Sequence, residues 1–174
     1  MPRATIDLMD PADLSLVKAQ WRFAPGLVPG EPNEGLVSQL AGSPARLADY
    51  DDSGWAATND LARWHSKGLT FAWYRIKITL PETVNGQDIR ESRCLFETCI
   101  DDYGELWIDG ECNRDRGAVQ GFNVPQRVVV SAEPQPGAEH TIALLAMNGP
   151  IAAPGGAIFV RWAQLGFEWR TPGY

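Results

Sequence analysis

FAWYRIKITL, residues 71–80, decides the architecture. Tyr74, Ile76, Ile78 and Leu80 fall on one side and Trp73, Arg75, Lys77 and Thr79 on the other, the period of two of a half-buried strand. Five more runs follow it: RCLFETCI (93–100), ELWID (105–109), QRVVVSA (126–132), HTIALLAMN (140–148) and AIFVRWAQLGFEW (157–169). Turn chemistry bounds them at Asn85-Gly86, Gly110, Pro134-Gln135-Pro136-Gly137 and Asn148-Gly149-Pro150. Asp101-Asp102-Tyr103-Gly104 reads as a tight hairpin turn between 93–100 and 105–109, with Gly104 supplying the unusual dihedral. Short β-rich runs at this spacing predict an all-β, antiparallel β-sandwich.

Toward the N-terminus the signal thins. Val17, Ala19, Trp21 and Phe23 alternate with Lys18, Gln20 and Arg22, which predicts an opening strand over 16–23. Asp10-Pro11 before it suits a short helical turn, Asp as cap and Pro at the first position. A second short helix is expected over 59–66, capped by Asn59. The rest of 24–70 is rich in Gly, Pro, Asp, Asn and Ser and reads as ordered loop. No internal repeat or linker divides the chain, so one domain over 1–174 is expected.

Composition agrees. The 174 residues, 44% of them hydrophobic, can close a core without a disulfide or metal staple. Gly 17 and Pro 13 exceed their ordinary combined share of about 12% and exclude a long helical bundle. A net charge of −7 with no basic run excludes a grip on nucleic acid phosphates. No stretch reaches the ~20 apolar residues of a membrane span. The N-terminal residues lack a charged-then-apolar signal pattern, so a cytoplasmic location is expected. Cys94, Cys99 and Cys112 are odd in number and match no zinc spacing, which predicts free, mostly buried thiols.

Several segments together carry a family resemblance: YDDSGW (50–55), TFAWYRIKITLP (70–81), ETCIDDYGELWIDGE (97–111), GFNVPQRVVV (121–130) and AMNGP (146–150). In this order they resemble the galactose-binding-like jelly roll at the front of family 2 glycoside hydrolases, the β-galactosidase and β-glucuronidase group. The chain is also similar to an N-terminal domain ahead of some bacterial gluconolactonase-like (SMP-30) propellers, through LVKAQWRF (16–23) and IFVRWAQLGFE (158–168). The resemblance implies a jelly roll that holds or shields carbohydrate. The hydrolases' catalytic glutamates and the lactonases' metal site lie in other domains, so it implies no chemistry.

Seven tryptophans are the residues to place. Exposed indoles stack on the apolar faces of sugar rings, so Trp64, Trp73 and Trp107 are candidate platforms. The bland alternatives are that Trp73 packs under a loop or stacks with Arg75, and that Trp107 joins the core. Trp21, Trp55 and Trp162 read as core. Planar amides and guanidinium groups at a loop rim suit hydroxyl-rich ligands, which adds Arg75, Arg114, Arg116, Gln120, Asn123 and Asn148 to the ligand-binding candidates. Strands alternating up and down would gather the connections 81–92, 109–125 and 148–157 at one end. Against this stands a solvated loop surface whose Asn and Asp only make turns.

Asp101 and Asp102 with Glu97 are candidates for a calcium site or an acid–base pair, and equally for turn capping. Asp49, Asp51 and Asp52 form a second candidate calcium loop with the same alternative. No cofactor beyond calcium is expected. His65 and His140 have no serine or cysteine partner at motif spacing.

The expected function is non-catalytic binding of a small carbohydrate or other polyhydroxylated or glycosylated ligand. Two alternatives stand beside it. One is a cyclase or isomerase of a biosynthetic pathway with Asp101, Asp102 or Glu97 as proton donor. The other is a scaffold pairing with a separate hydrolase. Expected partners are the ligand and either a protein or a second copy of the chain, with no nucleic acid and no membrane.

Overall fold

In the computed structural model, residues 2–30, 42–63, 70–121, 123–149 and 157–170 are described, with the side chain of Arg116 left aside. Among these residues the strands are β1 (Arg3–Asp7), β2 (Trp21–Pro25), β3 (Ala56–Thr58), β4 (Thr70–Thr79), β5 (Thr83–Val84), β6 (Gln87–Asp88), β7 (Ser92–Asp101), β8 (Tyr103–Ile108), β9 (Val119–Gly121), β10 (Gln126–Ser131), β11 (Glu139–Asn148) and β12 (Phe159–Trp169). They build an antiparallel four-stranded sheet, β1-β12-β7-β10, and an antiparallel six-stranded sheet, β3-β2-β4-β11-β8-β9. β5 and β6 form a small hairpin whose Asn85-Gly86 turn has positive φ at both residues, 50° and 79°.

Period-two alternation produces the core. Tyr74, Ile76, Ile78, Leu106, Ile142 and Leu144 from the six-stranded sheet meet Ile6, Phe96, Ile100, Val128, Leu165 and Phe167 from the four-stranded sheet. Trp21 is fully buried there and its indole N–H donates to the Leu8 carbonyl at 2.8 Å. The all-β sandwich expected from the sequence is the observed fold. All three cysteines are free thiols, Cys94 and Cys99 buried and Cys112 half-buried. Among the described residues no helix is long and apolar enough to cross a membrane.

The N-terminal expectations need correction. Asp10 does cap a helix, accepting from the Ala12 N–H at 2.8 Å, but that helix, α1 (Pro11–Leu16), takes up residues assigned to the opening strand. Lys18 has φ +53°, so the chain turns before β2 begins at Trp21. β1 escaped the sequence reading because only Ala4 and Ile6 mark its buried side. Residues 59–63 form turns rather than helix, and 64–66 lie outside the described residues.

The connection after β7 is not a hairpin. β7 and β8 lie in different sheets, so the Asp101–Asp102 peptide, which is cis, carries the chain across the sandwich. Gly104 is required for space rather than dihedral freedom. A Cβ there would stand 2.5 Å from Ile100 Cδ1 and 2.9 Å from Gln126 Oε1. Nor do the three connections share an end. The 81–92 segment lies where Thr79 pairs with Glu139, and Asn148 pairs with Thr70 at the opposite end. The 109–125 segment runs between the two ends. A register shift between Val160 and Trp162 lets Val160 and Ala163 both face the core. Trp162, read as core, is consequently half-buried outside it.

The two outer faces are finished differently. On the four-stranded sheet, Glu97 and Glu168 are tied together by Arg3, Arg93 and Arg127, and Gln164 donates to Glu97 at 2.7 Å. Burial opposes ionisation of Glu168, but the Arg93 hydrogen bond and the charges of Arg127 and Arg93 hold its carboxyl below 4.5. On the six-stranded sheet the chain segment 42–55 covers the face, and Arg75 holds it there. Arg75 is 0% exposed, pairs with Asp52 at 2.8 Å, and donates to the carbonyls of Ala45, Leu47 and Tyr50. Its guanidinium also lies 5.4 Å from the Tyr50 ring centre.

Replacing Arg75 by Met strands the Asp52 carboxylate and three carbonyls, so we expect a loss of about 3–5 kcal/mol in urea unfolding. Arg75→Lys should recover little of it, because a point donor cannot reach four acceptors at once. Wild-type stability for Arg75→Met would show that the segment is held by something else.

Candidate functional site

The covered face of the six-stranded sheet holds a cavity of about 390 Å³. Its floor follows from register. Trp73 lies opposite Leu145, Phe71 opposite Met147, Glu105 opposite Leu145, and Tyr103 opposite Met147, so these side chains share one face. Trp107 projects on that face from β8, opposite Ala143. Leu27, Gly42, Ser43 and Arg46 close the cavity from above, and Arg114 enters from the β8–β9 connection.

Packing pins the aromatic floor. Trp73 is 1% exposed, and its indole N–H donates to the Leu27 carbonyl at 2.8 Å. Ala45, Trp73, Ala143 and Leu145 form a second apolar cluster, with Trp107, Phe71, Trp55 and Leu27 against it. The Arg46 guanidinium lies over the Trp107 ring, 5.7 Å from its centre. Trp107 Nε1 is buried and has no hydrogen-bond partner among the described residues. An unpaired buried donor costs free energy.

Charge is concentrated at one side. Glu105, 9% exposed, accepts through Oε1 from the Tyr103 hydroxyl at 2.9 Å and from Arg114 Nη1 at 3.2 Å. Burial and the Glu105 hydrogen bond push the Tyr103 phenol up to about 12, so it stays a donor at neutral pH. The Glu105 charge raises the Arg114 pKa further.

Of the sequence candidates, Trp73, Trp107 and Arg114 therefore meet at one cavity. Arg75 does not reach it, because all its donors serve the covering segment. Gln120 is half-buried on β9 opposite Gly104, outside the cavity lining. Asn123 accepts from Arg161 Nε at 2.7 Å and, through its carbonyl, from the Cys99 thiol. Asn148 is buried at the end of β11, its Nδ2 without a partner among the described residues. Trp64 and the side chain of Arg116 lie outside what is described.

The candidate carboxylates go elsewhere. Glu97 belongs to the arginine lattice of the other sheet, and Asp101 pairs with Arg161 at 2.9 Å. Asp102 is half-buried near Gly149 and does not line the cavity. In the proposed calcium loop, Asp52 is engaged by Arg75, Asp51 accepts from the Ser53 N–H at 3.0 Å, and Asp49 is exposed. No group of three His, Cys, Asp or Glu side chains suited to a metal converges among the described residues. His140 pairs with Asp109 at 2.7 Å, away from the cavity.

Sequence reasoning missed Glu105, Tyr103 and Arg46. For the first two the signal was present. Tyr103, Glu105 and Trp107 alternate along β8, but starting that strand at Glu105 hid the pattern. Arg46 sits in a 3-10 turn, Pro44–Arg46, inside a loop with no periodicity to read.

No protein-family model matches the sequence, and no curated protein does. Solved structures do. A family 2 glycosyl hydrolase of Bacteroides cellulosilyticus superposes with a TM-score of 0.60 at 15% identity, over 96% of this chain and 21% of its own. A β-glucuronidase of Bacteroides uniformis gives 0.59 at 18% identity, over 95% of this chain and 18% of its own. A β-glucuronidase of Ruminococcus gnavus gives 0.55 at 12%, over 96% and 28%. The protein is thus a β-sandwich domain of the kind found in family 2 glycosidases. It spans about a fifth of the length of the first two, and identities this low carry the fold alone.

The Tyr103–Glu105 contact is directly measurable. Since folding raises the phenol from 10.0 to about 12, protonated Tyr103 contributes stability that is complete below about 10 and lost as pH rises toward 12. Phenolate difference absorbance, with Tyr103→Phe subtracted, should show Glu105→Gln lowering that midpoint toward 10.0. An unchanged midpoint would mean that burial alone sets it.

Proposed function

We propose that the protein is a non-catalytic binding module whose cavity holds a small carbohydrate or other polyhydroxylated or glycosylated ligand. The observation that carries this reading is a cavity of about 390 Å³ floored by Trp73, Phe71 and Trp107 and edged by Tyr103, Glu105 and Arg114. Aromatic faces take the CH-rich face of a ring, while Glu105, Tyr103 and Arg114 offer acceptors and donors for hydroxyls. The fold's occurrence in glycosidases supports a carbohydrate-related role.

Catalysis is the second reading, and Glu105 is what favours it, since it is the carboxylate that lines the cavity among the described residues. Its partners argue for binding instead. Both Tyr103 and Arg114 donate to it, so it is arranged as a hydrogen-bond acceptor rather than as a proton donor.

Titrating the protein with mono- and disaccharides, by calorimetry and tryptophan emission, tests the reading. We expect saturable binding with a change in emission. Trp107→Ala should weaken it by about tenfold or more, the effect of removing a central aromatic anchor. Absence of heat and emission change across a broad panel would sink the proposal. Equal affinity in Trp107→Ala would move the site off this cavity.

A further inference from the structure

The cavity's charges do not cancel. Arg114 is paired with Glu105, whereas Arg46 has no carboxylate within ion-pair distance among the described residues. Among the described residues the Arg46 guanidinium makes one long hydrogen bond, 3.5 Å, from Nη1 to the Ser43 carbonyl. Otherwise it rests on the Trp107 face and against Gly42, where a Cβ would come within 3.1 Å of Nε. Arg46 is half-buried, so part of its hydration is already lost. The side chain lines the cavity beside the aromatic floor. Among the described residues the lining therefore carries one surplus positive charge, in a chain whose net charge is −7.

A surplus cation beside an apolar floor repels cationic ligands and favours an anion with a flat or CH-rich face. We infer that the cavity selects an anionic ring, a ring bearing one carboxylate, seated against Trp107 with its carboxylate on Arg46. The fork of a guanidinium matches a carboxylate. Glu105 then serves as the acceptor for ring hydroxyls and repels a second negative group. This inference rests on reading the cavity as a ligand site, and it narrows the ligand by charge.

Two matched pairs of probes distinguish the sources of such a ring: glucose against glucuronate, and benzyl alcohol against benzoate. Binding is followed by calorimetry on the full chain. In at least one pair the anion should bind about tenfold or more tightly than its neutral counterpart, the scale of one charge-assisted hydrogen bond. Which pair shows it separates a sugar acid from an aromatic acid. Raising the salt concentration should shrink the preference. Arg46→Gln should abolish it and Arg46→Lys retain part of it. Glu105→Gln should enlarge it, because it removes the cavity's negative charge. If Arg46→Gln fails to fold, the opposite responses to salt and to Glu105→Gln still decide the matter. Neutral probes binding as well as the anions would overturn the charge inference and leave the binding reading standing. No binding by any of the four would count against both.

Discussion

A single buried guanidinium organises the covered outer face of the six-stranded sheet. Arg75 sits on the side of β4 that a two-layer sandwich would ordinarily turn to water, and it is fully covered. Burying a charge is costly unless the partner geometry is good. Here Asp52 neutralises it and the carbonyls of Ala45, Leu47 and Tyr50 take its other donors. Those four groups lie within one irregular stretch of chain. Satisfying Arg75 thus fixes that stretch against the sheet, and with it Ser43 and Arg46, which form part of the cavity wall.

The same arrangement explains why β4 is buried on both faces. Its inward residues, Tyr74, Ile76 and Ile78, lie in the core between the sheets. Its outward Trp73 belongs to the second cluster under the covering chain and spends its indole N–H on Leu27. Trp107, two strands away in the same sheet, is half-buried beside the cavity. Its ring is packed by Arg46 on one side while its N–H finds no partner among the described residues. Of these two tryptophans on one sheet face, only Trp73 is anchored through its indole N–H among the described residues.

Much of the fold was legible because alternation survives in long strands. The run around Tyr74, Ile76 and Ile78 announced β4, and β7, β10, β11 and β12 could be read the same way. Sandwich topology was less accessible. Nothing in Asp101-Asp102-Tyr103-Gly104 tells a local hairpin from a crossing between sheets, since both use Asp and Gly. The distinction lies in Ile100 and Gln126, which press on Gly104 only once the layers are assembled. The site was half legible for a related reason. Trp73 and Trp107 draw attention by residue type. Arg75 looked like a ligand group, because a guanidinium on an outward strand position reads as solvent-facing until a distant aspartate and three carbonyls claim it.

The two outer faces also explain where a ligand site can arise. On the four-stranded sheet, Glu97 and Glu168 exchange contacts with Arg3, Arg93 and Arg127, whose side chains remain 38–45% exposed. Such a lattice tolerates water and presents little apolar area. A small neutral or singly charged molecule landing there would compete with solvent and with ion pairs already made. The opposite face has aromatic area removed from water, a buried donor and a cation without a carboxylate partner among the described residues. Affinity for a small molecule comes from desolvated apolar surface together with a few oriented polar groups. By that criterion the covered face suits the proposed ligand better than the lattice face does. The fold is shared with domains of large glycosidases, but the difference between its faces is a property of these particular side chains.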